Sequence, residues 1–188
     1  MARRDHVLEV VKASYGPYRL ASAEVVQISR DPLELLDARP WPPDIGVQFI
    51  RPELVASERH LVAAFYAAAT TMIAGAARSR RIEVELLLKL TGRTQISDAL
   101  NIAGLRGGET RIVVAVISGG AQDPADWVVR VAGLLGGRLQ QVSQAGDSRL
   151  LLEIFAPGEA RLRAIPRSSY ADPLELLLIE RVVASYIE

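Results

Sequence analysis

Residues 82–117, IEVELLLKLTGRTQISDALNIAGLRGGETRIVVAVI, decide the fold. The segment opens with Ile82, Val84, Leu86, Leu88 and Leu90 alternating with Glu83, Glu85, Leu87 and Lys89. A period of two sends successive side chains to opposite faces, so the expectation is a strand. A helix starting at Ser79 is the alternative, because glutamate and leucine also favour helix. From Thr94 to Ala103 the period changes: Ile96, Ala99, Leu100 and Ala103 share one helical face, and Gly104 closes it. Arg111 to Ile117 then reads as a buried strand ending at Ser118-Gly119-Gly120. The turn Thr91-Gly92-Arg93-Thr94-Gln95-Ile96 joins these buried elements, yet it carries a guanidinium, an amide and two hydroxyls. Loops on a rigid scaffold are where binding chemistry tends to sit.

Outward from this segment, three helix starts use one chemistry: Asp31-Pro32-Leu33-Glu34, Asp123-Pro124-Ala125-Asp126 and Asp172-Pro173-Leu174-Glu175. Each places an aspartate at the N-cap, a proline at the first helical position and a carboxylate three residues after the cap. These acids are read as caps, not as catalytic pairs. A fourth helix begins near Ser57 and runs to about Ala77; its alanine-rich middle permits close packing. Val7 to Ala13 and Leu20 to Ile28 are expected strands around a Tyr15-Gly16-Pro17 turn. Ile45 to Val55 is an extended segment interrupted by Pro52, which points to an edge strand. Arg149 to Phe155 is expected as a further strand. The sum is one α/β domain of mixed α+β character: a central mixed sheet, packed helices and a C-terminal helix.

The chain has 188 residues, of which 49% are apolar and 23% charged, as in a globular domain. No apolar run approaches the roughly 18 residues of a membrane span, and Met1 to Asp5 opens no signal-peptide core. A cytoplasmic protein without membrane contact is expected. The 22 basic and 22 acidic residues cancel, which excludes a globally basic nucleic-acid binder but not a local basic patch. Apart from Lys12 and Lys89 every cation is an arginine, a planar fork suited to phosphate and carboxylate. A coding or thermophilic bias explains the same excess. Cysteine is absent, which removes thiolate nucleophiles and disulfides.

Little catalytic equipment remains. Only His6 and His60 occur, and there is no GxSxG elbow, P-loop or GxGxxG. Ser118-Gly119-Gly120, between a strand and a helix start, is a weak anion-site candidate. His60, in the first turn of its helix, reads as a packed histidine. No cofactor or metal is expected, and the chain is not read as an enzyme.

Two surfaces are left. Arg78, Arg80, Arg81 and Arg93, with Arg106 and Arg111 nearby, read first as solvated surface charge; contact with phosphates of a short single strand is the functional alternative. Arg93 and the Arg80–Arg81 pair lie at opposite ends of the first element, so they cannot form one cluster. The second surface is the helix expected from Pro173 to Ile187. Its apolar residues Leu176, Ile179, Val182, Val183, Tyr186 and Ile187 cover about half the circumference, with Leu177 outside that arc. A helix packed only on its own core needs a stripe just over roughly 100° wide. The excess suggests a second apolar contact; burial on both sides within the domain is the rival explanation.

The order of segments resembles a known family. The histidine-containing helix at 58–77 is followed by Ile82-Glu83-Val84-Glu85-Leu86-Leu87-Leu88, then by Thr91-Gly92-Arg93-Thr94-Gln95-Ile96-Ser97-Asp98-Ala99-Leu100. Ala103-Gly104-Leu105 and the strand at 112–117 complete the pattern. It is similar to the PRPK-binding protein (TPRKB-like) family, the tRNA-binding accessory subunit of the KEOPS complex, in an archaeal form. The resemblance implies a noncatalytic role in forming threonylcarbamoyladenosine in tRNA. It further implies docking on the complex's small kinase-like ATPase subunit and recruitment of tRNA through its 3′ CCA end. On that basis Arg78, Arg80, Arg81, Arg93, Thr94 and Gln95 are the expected RNA-binding residues. Leu174, Leu177, Leu178, Arg181, Val182 and Ser185 are the expected partner-binding residues, and the isolated chain is expected to be a monomer or weak homodimer. A scaffold that regulates the ATPase without touching tRNA is the alternative, and a small nucleotide-binding enzyme using the Ser118 turn is the third.

Overall fold

The computed structural model describes residues 10–142, 146–156, 158–166 and 172–185. In chain order the elements are β1 (Val11–Tyr15), β2 (Tyr18–Val26), α1 (Pro32–Ala38), β3 (Ile45–Ile50) and a 3-10 turn (Pro52–Leu54). They continue with α2 (Glu58–Ile73), α3 (Ile82–Thr91), α4 (Ile96–Ala103) and β4 (Arg111–Ser118). The last are α5 (Pro124–Leu134), β5 (Arg138–Gln140), α6 (Ser148–Phe155), α7 (Glu159–Ala164) and α8 (Pro173–Ala184). His6 and the expected strand residues before Val10 lie outside the described residues, as do Tyr186 and Ile187.

Strand β4 organises the molecule. It pairs antiparallel with β2 on one side and β3 on the other, and β1 and β5 share the far edge of β2. Each described pairing is antiparallel, so the sheet expected to be mixed is antiparallel in the part described. Ile112, Val114 and Val116 enter one core while Val113, Ala115 and Ile117 enter the other. Helices cover both faces, which is why β4 reads as an unbroken apolar run instead of alternating. On one face Trp41, Trp127, Val128 and Val131 pack against the sheet. On the other, α2 and α3 lie on the strands, and α8 packs on α2 through Leu174, Leu178 and Val182. Strand β3 is an edge strand as expected, and Pro52 begins the 3-10 turn that follows it.

The three aspartate caps form as the sequence indicates: Asp31, Asp123 and Asp172 accept from the amides of Leu33, Ala125 and Leu174. Two strand expectations are corrected. Residues 82–91 are helix α3, buried on nearly every side from Ile82 to Thr91. Its alternation misled because Glu83 and Glu85 are buried, not solvent-facing, and a helix that is covered all round shows no polar face. Leucine, glutamate and lysine then favour helix, and only Ile82 and Val84 are β-branched before Thr91. Gly92 closes α3 in the left-handed conformation, φ 60°, its N–H donating to the Leu88 and Lys89 carbonyls. Residues 149–155 likewise belong to helix α6: Asp147 caps it through Arg149 and Leu150, and Leu151 and Phe155 meet the core four residues apart.

Candidate functional site

Helix α3 carries the expected RNA residues at its two ends. At a rise of about 1.5 Å per residue its 10 residues hold those ends roughly 15 Å apart. Arg78, Arg80 and Arg81 precede it, whereas Arg93, Thr94 and Gln95 follow it. The structure keeps these two groups separate.

The leading end is built on two buried carboxylates. Glu85, fully buried, accepts from the backbone N–H groups of Arg78 and Ser79 at 3.1 Å each and from the Thr71 hydroxyl at 3.4 Å. Lys89 stands one turn on, its Nζ 3.7 Å from Glu85 Oε1 and donating to the Ser185 carbonyl at 3.0 Å. Burial lowers the Lys89 pKa from its ordinary value, and Glu85 opposes that shift. Glu83 binds Arg81, whose Nε donates to Oε1 at 2.6 Å, and Arg39 lies 3.7 Å from the same oxygen. Room for this carboxylate comes from Gly46, where a Cβ would lie 2.6 Å from Glu83 Oε2. Arg80 is exposed and makes no hydrogen bond or ion pair with the described residues. Arg39, Arg80 and Arg81 line one cleft together with Tyr18, Asp44 and Gly119. Arg39 escaped the sequence reading; the signal that places it is Pro40, which marks it as the residue where α1 must end.

At the trailing end Arg93 is engaged with the fold. Its Nη2 donates to the Ile154 carbonyl at 3.2 Å, and its Nε is buried without a hydrogen-bond partner among the described residues. Arg181 Nη1 donates to the next carbonyl, that of Phe155, at 3.0 Å and lies 5.8 Å from that ring's centroid. Two guanidiniums thus satisfy the C-terminal carbonyls of α6, where cations are favoured by the helix dipole. Thr94 and Gln95 are exposed, and Gln95 makes no side-chain capping bond to α4. Of the other two arginines, Arg111 pairs with Glu24 at 3.5 Å and Glu53 at 3.4 Å. The Arg106 backbone N–H donates to Glu109.

Helix α8 turns the expected partner residues inward. Leu174, Leu177, Leu178 and Val182, expected as partner contacts, are buried within this chain. The face left outside carries Leu176, half-buried Ile179 and Val183, with Leu176 38% and Val183 52% exposed. Spacings of three and four put these on one stripe. Arg181 is engaged with Phe155, and the Ser185 hydroxyl donates to the Val182 carbonyl at 2.7 Å. At the other end, Glu175 accepts from the hydroxyl of Ser57, the cap of α2, and from Arg59 at 3.1 Å. This ties the starts of α2 and α8 together.

The remaining candidates are absorbed structurally. At Ser118-Gly119-Gly120 the Asp44 carboxylate occupies the space beside Gly120 that a Cβ would fill, and Asp123 caps the helix beyond. A negatively charged side chain already holds the place proposed for an anion, which removes the basis of the nucleotide-enzyme alternative. His60 is fully buried against Phe155, its Nδ1 accepting from the Ala56 N–H at 3.4 Å. Burial pushes its pKa down to about 4, with the Leu90 backbone carbonyl opposing the shift. Among the described residues no group of three or more His, Cys, Asp or Glu side chains could hold a metal ion. No described helix is long and apolar enough to cross a membrane.

Comparison with known proteins decides the family. The model of the family described as kinase binding protein CGI-121 matches residues 33–154 of this chain. The chain belongs to the CGI-121 family. Membership of a family of binding proteins agrees with the reading that the chain is not an enzyme. One relative is the EKC/KEOPS complex subunit CGI121 of the yeast Yarrowia lipolytica, 36% identical over 78 residues. That alignment covers 42% of this chain and 46% of the relative, so the chain matches just under half the relative's length. The CGI-121 match takes in both ends of α3 and the cleft residue Arg39; α8 lies beyond it.

Proposed function

We propose that this chain is a noncatalytic CGI121-type subunit of a KEOPS complex. In this reading it docks on the complex's small kinase-like ATPase subunit and recruits tRNA, including the 3′ CCA end, for threonylcarbamoyladenosine formation. Membership of the CGI-121 family carries the proposal. The outer stripe of α8, Leu176, Ile179 and Val183, supports the docking half, since an exposed apolar face suits an interface. The exposed arginines before α3 and the exposed Thr94 and Gln95 support the RNA half. The cysteine-free composition suits a thermophilic source and a cytoplasmic setting; the archaeal form is what the family resemblance implies, with the free chain a monomer or weak homodimer.

A gel shift with intact tRNA and with tRNA lacking its 3′ CCA tests the RNA half. Binding that ignores the CCA end sinks CCA recruitment, and no binding sinks tRNA recruitment altogether. Deleting α8 is a poor test of docking, because its inner leucines belong to the core. Leu176→Asp with Val183→Asp keeps those leucines and should abolish copurification with the kinase subunit; retained copurification counts against this face. A scaffold that modulates the ATPase without touching tRNA is the second reading, favoured by the commitment of Arg93 to the Ile154 carbonyl.

A further inference from the structure

We propose that the cleft walled by Arg39, Arg80, Arg81 and Tyr18 binds a backbone phosphate and an adjoining base of single-stranded RNA. This rests on the tRNA reading above and assigns it a location. The cleft lies where the end of α1, the start of β2 and the loop before α3 converge, with Asp44 and Gly119 closing one side.

The first observation is the arrangement of charge. Arg81 and Arg39 both reach Glu83 Oε1, so one buried carboxylate fixes two guanidiniums at the cleft wall. Each guanidinium has more N–H donors than this single acceptor uses. Arg80 adds a third guanidinium with no partner among the described residues. Against the three cations stand Glu83, already shared by Arg39 and Arg81, and Asp44, whose carboxylate lies beside Gly120. Anchored arginines lose less rotamer freedom on meeting a phosphate than free ones do.

The second observation concerns Arg39 itself. It terminates α1 at φ 45°, a left-handed conformation in which glycine is the unstrained choice. An arginine there bears a backbone penalty, and its side chain is turned to the cleft. The third is the flat wall: the Tyr18 ring lies within reach of Gly119 and beside the arginines. Guanidiniums along one wall and an aromatic ring on the other match the alternation of phosphate and base in a single strand. An acidic peptide offers the charge without the stacking partner.

Fluorescence anisotropy of the full chain with intact tRNA and with a short single-stranded RNA, across potassium chloride concentrations, tests the site. Arg80→Ala and Arg39→Gly should each weaken binding about threefold to tenfold and lower the single-strand salt slope by about 0.7. Glycine suits the backbone at position 39, so loss of binding there cannot be ascribed to strain. Tyr18→Leu should weaken binding about tenfold with the salt slope unchanged. Arg30→Ala, the same charge change at the opposite end of β2, should leave both unaltered. If tRNA binds and Arg80→Ala and Arg39→Gly behave like Arg30→Ala, the cleft is overturned while tRNA binding stands. If the unmodified chain binds no RNA, both fail. Polyglutamate of matched charge competing as well as RNA also overturns the cleft, making it an acidic-peptide site.

Discussion

Arg93 and Arg181, from the turn after α3 and from α8, donate to consecutive carbonyls, those of Ile154 and Phe155. The arginine at the centre of the most polar turn is therefore structural in geometry. Arg93→Ala should lower unfolding free energy by about 1.5–3 kcal/mol, the range for a hydrogen bond to a charged group. Urea unfolding measures that loss, and a gel shift should show tRNA affinity changed less than twofold. A large affinity loss without destabilisation would return Arg93 to the RNA surface.

Gly92 is tied to the same pair of arginines. Its φ is 60°, and a Cβ there would lie 2.9 Å from Arg181 Nε. Gly92→Ala should cost about 1–2 kcal/mol from the left-handed backbone, and more as Arg181 is pushed from Phe155. Thermal melting of the single variant and of Gly92→Ala with Arg181→Ala separates the two contributions. The double variant should show less than additive loss.

His60 gives stability a defined pH dependence. Its folded pKa, about 4, is depressed from the ordinary 6.5, so the unfolded chain binds the extra proton first as pH falls. Its contribution is complete above about pH 6.5 and is lost progressively as pH falls to about 4. The total is at most about 3 kcal/mol. Urea midpoints between pH 7.5 and 4 should fall accordingly in the parent chain, and His60→Gln should remove that part of the slope. An unchanged slope would mean that the imidazole is not buried as neutral.

Helix α8 has two faces that mutation should distinguish. Leu178→Ala empties a buried site and should cost about 2–5 kcal/mol. Val183→Asp, on a side chain 52% exposed, should leave stability within about 0.5 kcal/mol while weakening kinase-subunit capture. Capture that follows stability across both variants, and not the exposed stripe, would argue against docking there.

Local chemistry made much of this fold legible. The Asp-Pro starts, the Ala-rich helix and the strand expected at 111–117 all took the form their residues indicate. Alternation misled at 82–91 because periodicity assumes that glutamate faces water, and Glu85 instead holds a loop from inside the protein. It misled at 149–155 because a short apolar segment fits either period, and the Asp147 cap was the deciding signal. The outward stripe of α8 was visible as excess apolar width, but which leucines faced inward depended on packing against α2. Arg39 was hidden for a different reason: its neighbours in the cleft come from loops distant in sequence, and no local pattern encodes that convergence.

Because one helix supplies both the inner leucines and the outer stripe, partner capture and resistance to unfolding draw on the same element. A ligand that recognises only folded α8 must raise the apparent stability of the entire domain by mass action. Protease sensitivity of the free chain should therefore fall as that ligand is titrated in, including at cleavage sites far from α8 that open only by global unfolding. A footprint restricted to α8 would instead show that the helix detaches and re-docks as an independent unit.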